Sequence, residues 1–512
     1  MVYVGRSCPT VPPLTEVVYE RPDAAALRAA VPTVADPVLA CVATRLAESR
    51  PVRLVFFGSS VTAGIRCIQT NPGRQVSFPQ QLEQLLINRF PRANISMDVY
   101  GYPGASPQFM SACHSTLMKT DAADLYVLEM TDNLATSYEV VGRLIESLLS
   151  ALRQRAPAAA LMLLAPIPQR CVRSLKRMKP FHHVPLDDES TRGLLRDCYS
   201  NRSVAASFED VGAAHGLATV SLRNLISEQL WHSPADATRV IGRLHYDAVH
   251  PNGYGHWLLA TALEFAIQQH LRPSAAATAS VSACAPPPVG ALESHNLFAP
   301  RTPLPSDAMV CALGDDLKQH VLRSSGWRYG VEYNSQGLPK PGYIAERPGA
   351  TLDLCHRPQQ PRERGLEPHG ALRSVQLQRV VQAAWSLGYL MSYEHMGQMR
   401  GECLRTASSC SCGARVFNAH WRQPVSQPHI SRLKLLIRYS RRNATAPWVP
   451  AAAAHEDDAM AQAACPCVIR FTLLNETMSD AHKFKLLSLM NGFYTGTIVS
   501  DAVGWAARYG IM

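Results

Sequence analysis

The sequence predicts an α/β fold in three layers, α/β/α, with five parallel strands, followed by a β-rich domain that resembles a β-sandwich. Three observations lead to this prediction. Short apolar runs alternate with amphipathic segments between residues 51 and 272, which is the pattern of a parallel sheet covered by helices on both faces. A stretch rich in Pro, Ala and Ser follows at 273–308. Beyond residue 309, short runs that alternate apolar and polar residues indicate antiparallel strands.

The chain is long enough for two large domains, since it has 512 residues and a domain takes about 100–200. Apolar types make up 47% of the residues and charged types 18%, which excludes a chain that is disordered throughout. The net charge of +10 is spread without a long basic run, so nucleic acid is not predicted as a partner. No run approaches the roughly 20 apolar residues of a membrane span, and none is predicted.

The elements of the first domain follow in order along the chain, after an N-terminal extension at residues 1–50. Strands are predicted at 53–57, 95–100, 125–129, 160–165 and 217–222. Helices are predicted where apolar residues recur at spacings of three and four, at 79–90, 138–155, 204–215 and 253–270. The stretch 169–191 is rich in Arg, Lys, His and Pro. It breaks the alternation and is interpreted as an insertion over one end of the sheet.

The second half of the chain divides into a linker and a β-rich domain. Residues 273–308 cannot bury enough apolar surface to become ordered and are predicted to be the linker. Strands of the domain at 309–512 are predicted at 373–381, 386–393, 434–439, 467–474 and 483–490. Loops are predicted at 359–367 and 443–464. Aromatic residues of this domain are expected mainly in its core, and an exposed Trp or Tyr would offer a flat surface for a sugar ring.

A serine with a position typical of a functional site follows the first predicted strand. The sequence at residues 58–62 is Gly-Ser-Ser-Val-Thr, directly after an apolar strand. Carboxyl ends of parallel strands are where α/β folds place their sites, so Ser60 is expected at that edge. A serine in this position is more often only a helix N-cap, and a nucleophilic serine also needs a base.

The candidate base lies near the end of the same predicted domain, in the sequence Asp-Ala-Val-His-Pro at 247–251. Asp247 and His250 are three residues apart, so one turn can bring the carboxylate to the imidazole Nδ1–H. The Nε2 atom then stays free to accept a proton from a serine. A histidine alone would more often be an ordinary residue at a helix start. The combination with Ser60 favours the catalytic interpretation.

Together these segments resemble the SGNH (GDSL-type) serine hydrolases, over about residues 52–271. The first family block, Gly-Asp-Ser, is matched at 58–60 with Ser59 in place of the Asp, and the resemblance makes Ser60 the nucleophile. The last block, Asp-x-x-His-Pro, is matched residue for residue by Asp247, His250 and Pro251. The following β-rich region is similar to that of plant and green-algal members.

The two middle blocks supply the oxyanion hole that the resemblance implies. The second block is matched by Gly-Ala-Ser at 104–106, which makes Gly104 a backbone donor. In the third, Asn133 keeps the spacing of four from a strand glutamate, Glu129, that many members show. Two positions around this Asn depart from the family, at Thr131 and Leu134. The donors expected are the N–H groups of Ser60 and Gly104 and the Asn133 side-chain amide.

The resemblance implies a carboxylic ester hydrolase on a flavodoxin-like domain, acting through a Ser-His-Asp triad and an acyl-enzyme. No metal or organic cofactor takes part in this chemistry. The expected substrate is an acyl ester, in particular an acetyl ester, on a polysaccharide or other glycan. Two alternatives stay open: an esterase for lipids or small acyl esters, and a non-catalytic carbohydrate-binding protein with a degenerate site. Acyl transfer to an acceptor sugar would use the same triad.

The cysteines and the sequons bear on the compartment. The cysteines of the second domain form two patches along the chain, and their spacing is unlike that of a zinc site. Disulfides between the two patches are favoured if the compartment is oxidising. The patches contain Cys403, Cys410, Cys412, Cys465 and Cys467. The first residues show no readable secretory signal, whereas four Asn-x-Ser/Thr sequons are compatible with secretion. The sequence assigns neither the compartment nor the oligomeric state.

Overall fold

The computed structural model describes two compact units, which divide between Phe298 and Val310. The described residues are 21–32, 36–64, 77–102, 105, 107–118, 122–130, 138–165, 203–226, 244, 250–271, 297–298, 310–333, 339–356, 379–404, 410–421, 427–439, 465 and 467–493. The predicted insertion at 169–191 and the predicted loops at 359–367 and 443–464 lie outside these residues.

The first unit is built on a parallel sheet of five strands, which confirms the predicted fold class. The strands are β1 (Val52–Gly58), β2 (Ile95–Gly101), β3 (Leu125–Glu129), β4 (Ala160–Ala165) and β5 (Thr219–Ser221). Their order in the sheet is β2-β1-β3-β4-β5. The direction in which strands are added reverses at β1, so the crevice beside its carboxyl end is where such sheets bind ligands.

Eight helices surround this sheet within the described part of the chain. They are α1 (Ala24–Ala30), α2 (Pro37–Ala47), α3 (Phe78–Arg89), α4 (Pro107–Leu117), α5 (Tyr138–Arg155), α6 (Val204–Ala214), α7 (Leu222–Leu225) and α8 (Gly253–Gln269). The strand β5 is shorter than predicted at both ends, and at its carboxyl end the Ser221 hydroxyl accepts a hydrogen bond from Asn224 N–H and begins α7. None of the described helices has the length and apolarity that crossing a membrane requires.

Helices α1 and α2 are part of the first core, although the sequence assigned residues 1–50 to an extension. The Asp36 carboxylate caps α2 by accepting from the N–H groups of Val38 and Leu39. One face of α2 then buries Leu39 and Leu46 against the sheet and α8. The sequence of α2 has apolar residues at helical spacing, which indicates a helix. It does not show which part of the fold the apolar face of that helix packs against.

The second unit consists of two antiparallel sheets that share one hydrophobic core. One has the order β14-β12-β16-β10-β7, and the other the order β13-β15-β11-β17-β9-β8 with β6 beside β17. The strands are β6 (Val310–Leu313), β7 (Val321–Ser325), β8 (Trp327–Tyr333), β9 (Pro339–Ala345), β10 (Thr351–His356), β11 (Arg379–Met391), β12 (Gln398–Cys403), β13 (Cys410–Ser411), β14 (Arg415–Asn418), β15 (Gln427–Tyr439), β16 (Cys467–Leu473) and β17 (Phe484–Phe493).

Aromatic side chains join the two sheets of this unit. The Tyr389 ring on β11 lies edge-on to Phe417 on β14, with centroids 6.2 Å apart, and Phe417 contacts Phe471 on β16 at the same distance. Strand β11 also corrects the sequence interpretation, because the runs predicted as two strands, 373–381 and 386–393, overlap a single strand of 13 residues.

Three disulfides are described in the second unit, and they follow the sequence expectation only in part. Cys410 on β13 is bonded to Cys467 on β16, which joins the two cysteine patches. Cys403 is bonded to Cys412 within one patch, and Cys465 is bonded to Cys355. Cys355 stands alone in the sequence, so its partner could not be identified from cysteine spacing. Disulfides of this number are typical of an oxidising compartment.

Two residues of the predicted linker contact the first unit. The Glu146 carboxylate on α5 is buried and accepts hydrogen bonds from the N–H groups of Leu297, at 2.6 Å, and Phe298, at 3.1 Å. The Phe298 ring lies over Gly142, where a Cβ atom would come within 2.4 Å of the ring. It meets Tyr138 edge-on at 5.0 Å. This part of the linker is therefore anchored to α5.

Candidate functional site

Ser60 lies in a tight turn directly after β1, at the carboxyl edge of the sheet. The turn begins at Gly58, where a Cβ atom would lie 1.9 Å from the Thr62 hydroxyl oxygen. It ends at Gly64, whose φ of +67° favours glycine. Ser60 itself is 3% exposed. The glycines at both ends allow the chain to reverse closely enough to hold this serine at the strand end.

The end of β2 packs against the same turn. The Tyr102 N–H donates to the Gly58 carbonyl oxygen over 2.9 Å. A Cβ atom on Gly101 would lie 2.4 Å from the backbone nitrogen of Ala63, which is closer than any side chain tolerates. Glycine at position 101 therefore lets β2 approach the backbone of the serine turn directly.

Glu129 lies beneath the turn, at the carboxyl end of β3, and is fully buried. Its carboxylate accepts from the Ser59 N–H at 2.9 Å and from the Ser59 hydroxyl at 3.0 Å. It also accepts from the Thr62 N–H at 3.3 Å and from the Thr62 hydroxyl at 2.8 Å. Burial raises the pKa of Glu129, and the hydrogen bonds from Ser59 and Thr62 partly oppose this rise. The residues on both sides of Ser60 are thus held by one carboxylate.

Sequence reasoning identified Glu129 only as a spacing marker for Asn133, and it assigned no role to Thr62. The replacement of the usual Asp by Ser59 has a local explanation in these contacts. A carboxylate at position 59 would face Glu129 in a buried environment, where two negative charges repel strongly, whereas the Ser59 hydroxyl can donate. The sequence feature that could have indicated a role for Glu129 is an acidic residue at the end of an otherwise apolar strand.

His250 meets Ser60 across this edge of the sheet. Its Nε2 atom lies 3.1 Å from the Ser60 hydroxyl oxygen, within the distance over which a proton is transferred directly. The residue stands two positions before Asn252, whose side chain caps α8 by accepting from the Gly255 N–H at 3.0 Å. The Asn252 N–H in turn donates to the Leu244 carbonyl oxygen at 2.8 Å. These bonds fix the backbone that carries the imidazole.

A second histidine joins the helices behind the site. His256 on α8 is fully buried, and its Nδ1 atom accepts from the Phe78 N–H at 3.2 Å. The two rings stack with centroids 6.1 Å apart. Accepting at Nδ1 requires an unprotonated nitrogen there. Because Phe78 begins α3 and His256 belongs to α8, this hydrogen bond holds the two helices together. The sequence contained His256 but gave no reason to assign it this role.

The other predicted site residues lie outside the described residues. These are Asp247, expected to orient His250, and the expected oxyanion donors Gly104 and Asn133. Of the predicted set, the structure therefore brings together Ser60 and His250.

One group of cysteines in the described part of the chain has a spacing that fits a metal ion. The sulfur atoms of Cys403, Cys410 and Cys467 lie within 4.8 Å of one another. All three belong to disulfides, and metals bind the free thiolate. In this state of the protein, the group does not offer the ligands that a metal needs.

No protein-family model matches the sequence, and no curated protein matches it. Among solved structures, the chain is similar to a two-domain esterase active on acetylated mannans, with a TM-score of 0.58 and 14% sequence identity. The similarity covers 92% of this chain and 99% of that one. A structure of such an esterase crystallised with mannopentaose matches at the same identity and coverage, with a TM-score of 0.55. The chain therefore shares the fold of this two-domain protein.

Proposed function

We propose that this protein is a serine esterase that removes acetyl or other short acyl groups from a polysaccharide. The observation that carries the proposal is the 3.1 Å contact between His250 Nε2 and Ser60 Oγ at the carboxyl edge of β1. The glycine-bounded turn and the Glu129 carboxylate support it further, because they hold the backbone on both sides of Ser60.

In the proposed reaction, Ser60 Oγ attacks the ester carbonyl carbon while His250 Nε2 accepts the hydroxyl proton. The carbon–oxygen bond to the alcohol then breaks, and the imidazolium gives the proton to the departing sugar oxygen, which leaves as a hydroxyl group. Water, deprotonated by the same nitrogen, attacks the acyl-enzyme and releases the carboxylic acid together with free Ser60. Asp247 would accept a hydrogen bond from His250 Nδ1–H and stabilise the imidazolium.

The negative charge of each tetrahedral intermediate would be stabilised by three donors. They are the backbone N–H groups of Ser60 and Gly104 and the side-chain amide of Asn133. Loss of one such donor reduces kcat by about 10²–10³-fold in enzymes of this mechanism. Variants of Asn133 are the suitable test of this set, since a side chain can be replaced without altering the backbone.

A polysaccharide substrate is supported by the second unit. The fold shared with an esterase active on acetylated mannans extends over both units. Two tyrosines of the second unit have exposed rings, with Tyr333 68% and Tyr393 39% exposed. An exposed aromatic ring offers an apolar face to the C–H groups of a pyranose. We propose that the second unit binds the glycan that carries the ester.

Labelling with a fluorophosphonate tests the esterase proposal, because the reagent forms a stable bond with an activated serine. The wild-type protein should gain one adduct, which peptide mapping should assign to Ser60. The variant Ser60→Ala should not react, whereas Ser59→Ala should still carry an adduct at position 60. An unlabelled wild-type protein that still binds polysaccharide would instead support the non-catalytic, carbohydrate-binding alternative.

The substrate is tested separately from the chemistry. Acetate release from an acetylated polysaccharide should be faster than hydrolysis of nitrophenyl esters, and the rate on those esters should fall as the acyl chain lengthens. Activity that increases with chain length would favour the lipid or small-ester alternative. Transfer of the acetyl group to an added acceptor sugar would identify the protein as an acyltransferase.

A further inference from the structure

The second unit contains a concentration of positive charge that the proposed reaction does not use. Lys340 on β9 and Lys485 on β17 surround Glu332 on β8, and Lys483 stands just before β17. Lys483 Nζ lies 2.6 Å from one oxygen of Glu332, and Lys485 Nζ lies 2.9 Å from the other. Both carboxylate oxygens are therefore already bound by an ammonium group.

Lys340 is the third positive charge of this lysine cluster and has no such partner. It lies directly opposite Glu332 in the β8–β9 register. Within the described residues, the Lys340 side chain has no hydrogen bond or ion pair of its own, although it is half-buried. Three lysines against one carboxylate leave the cluster with a net charge of +2.

This arrangement is unfavourable for the protein alone. The Lys485 side chain is fully buried. Burial lowers the pKa of Lys340, and the neighbouring Lys485 lowers it further, against a smaller opposing effect of Glu332. Burial likewise lowers the pKa of Lys485, against the opposing effect of Glu332. An anion bound at this cluster would supply the second negative charge that Glu332 alone does not provide.

We propose that Lys340 and Lys483 bind the carboxylate of an acidic sugar, a uronate unit of the polysaccharide, and that Lys485 adds positive charge from its buried position. The Lys483 and Glu332 side chains are each 29% exposed, so the site is open to a ligand. Arg328 and Glu346 nearby pair with each other at 3.6 Å and add no net charge.

The choice of a sugar carboxylate rests on the proposed function, whereas the site itself does not depend on esterase activity. Binding is therefore measured with the full chain carrying Ser60→Ala, by calorimetry, with a short oligogalacturonate. The control ligand is the same oligosaccharide with its carboxyl groups reduced to alcohols. We expect binding of the acid form, weakened by added salt, and binding of the reduced form that is at least about tenfold weaker.

Variants assign the binding to this cluster. Lys340→Gln should weaken uronate binding by about tenfold, Lys340→Arg should retain it, and Lys318→Gln should not change it, because Lys318 pairs with Asp315 elsewhere in the unit. Without ligand, Lys340→Gln should melt at the same temperature as the parent or higher, since a repelling charge is removed. Equal binding of the two ligands, unchanged binding by Lys340→Gln, or a lower melting temperature of that variant would each overturn the proposal.

Discussion

His250 Nε2 and Ser60 Oγ lie 3.1 Å apart, although 190 positions separate the two residues in the chain. The turn after β1 carries one and the segment before α8 carries the other, and both meet at the carboxyl edge of the parallel sheet. This contact gives the first prediction. Replacing His250 by Ala should reduce kcat on an acetyl ester by about 10⁴–10⁶-fold, because Ser60 loses its base.

The control for this prediction is another histidine of the same region. His270 follows the last turn of α8, and its Nδ1 atom contacts the Ala266 carbonyl oxygen. His270→Gln should keep kcat within about twofold of the wild type, because His270 lies at the C-terminal end of the 17-residue helix α8, whereas His250 precedes its N-terminal end. A His250→Ala enzyme with near-normal kcat would contradict the proposed role of the imidazole.

Glu129 is expected to be a positioning residue, since its carboxylate holds the backbone on both sides of Ser60. In Glu129→Gln, an NH₂ group replaces one acceptor and faces donors of Ser59 and Thr62. The turn should relax and kcat should fall by about 10–10²-fold, with a smaller change in KM. Steady-state kinetics measure the changes in kcat and KM separately. If kcat and KM are impaired to the same extent and the variant also melts at a lower temperature, Glu129 has a structural role only.

The same carboxyl group predicts a pH dependence of stability. Burial raises the pKa of Glu129 above the ordinary 4.5, so the folded state holds a proton that the unfolded chain releases. Its contribution to stability is present below 4.5 and is lost as the pH rises through the folded pKa. The melting temperature of the wild type relative to Glu129→Gln should therefore fall as the pH is raised from 4.5. A constant difference across that range would contradict the raised pKa.

Two disulfides of the second unit are predicted to differ in their contribution to stability. The Cys355–Cys465 bond joins residues 110 positions apart, and the Cys403–Cys412 bond joins residues 9 positions apart. Closing the longer loop restricts the unfolded chain more, about 5 against about 3 kcal/mol. Replacing each pair by two alanines and measuring urea unfolding of the second unit should show the larger loss for Cys355 and Cys465. The reverse order would exclude loop closure as the main effect.

Phe298 is predicted to protect the linker from proteases. Its ring packs on Gly142 and Tyr138, while Leu297 is 56% exposed. Phe298→Ala removes apolar contact worth about 1.5 kcal/mol, so opening of this segment and cleavage within 273–308 should be about tenfold faster. Leu297→Ala is the matched control and should be cleaved like the wild type. Unchanged cleavage of Phe298→Ala would show that the Glu146 hydrogen bonds suffice.

The elements that the sequence predicted well are those whose signal is local. Strands β1 to β4 and helix α5 stand close to their predicted bounds, because continuous apolar runs and helical spacing can be identified within a short window. Contacts across the fold were harder to predict. Glu129 under the turn, His256 against Phe78 and Cys355 with Cys465 each join distant segments, and no pattern within either segment specifies its partner.

The surroundings of Ser60 in the turn after β1 were likewise predictable only in part. Ser60 and His250 belong to blocks with a fixed spacing, whereas Gly101 is required by the approach of β2 to Ala63. That approach depends on the strand order β2-β1-β3, which only the assembled sheet defines.

The burial of α1 and α2 has a practical consequence for work with this protein. A shortened form that begins at residue 51 would lack Leu27, Leu39 and Leu46, and the apolar surface they cover on the sheet and on α8 would face water. Such a surface promotes self-association. Expression of the first unit in isolation should begin no later than Arg21, whose guanidinium pairs with Glu264 on α8.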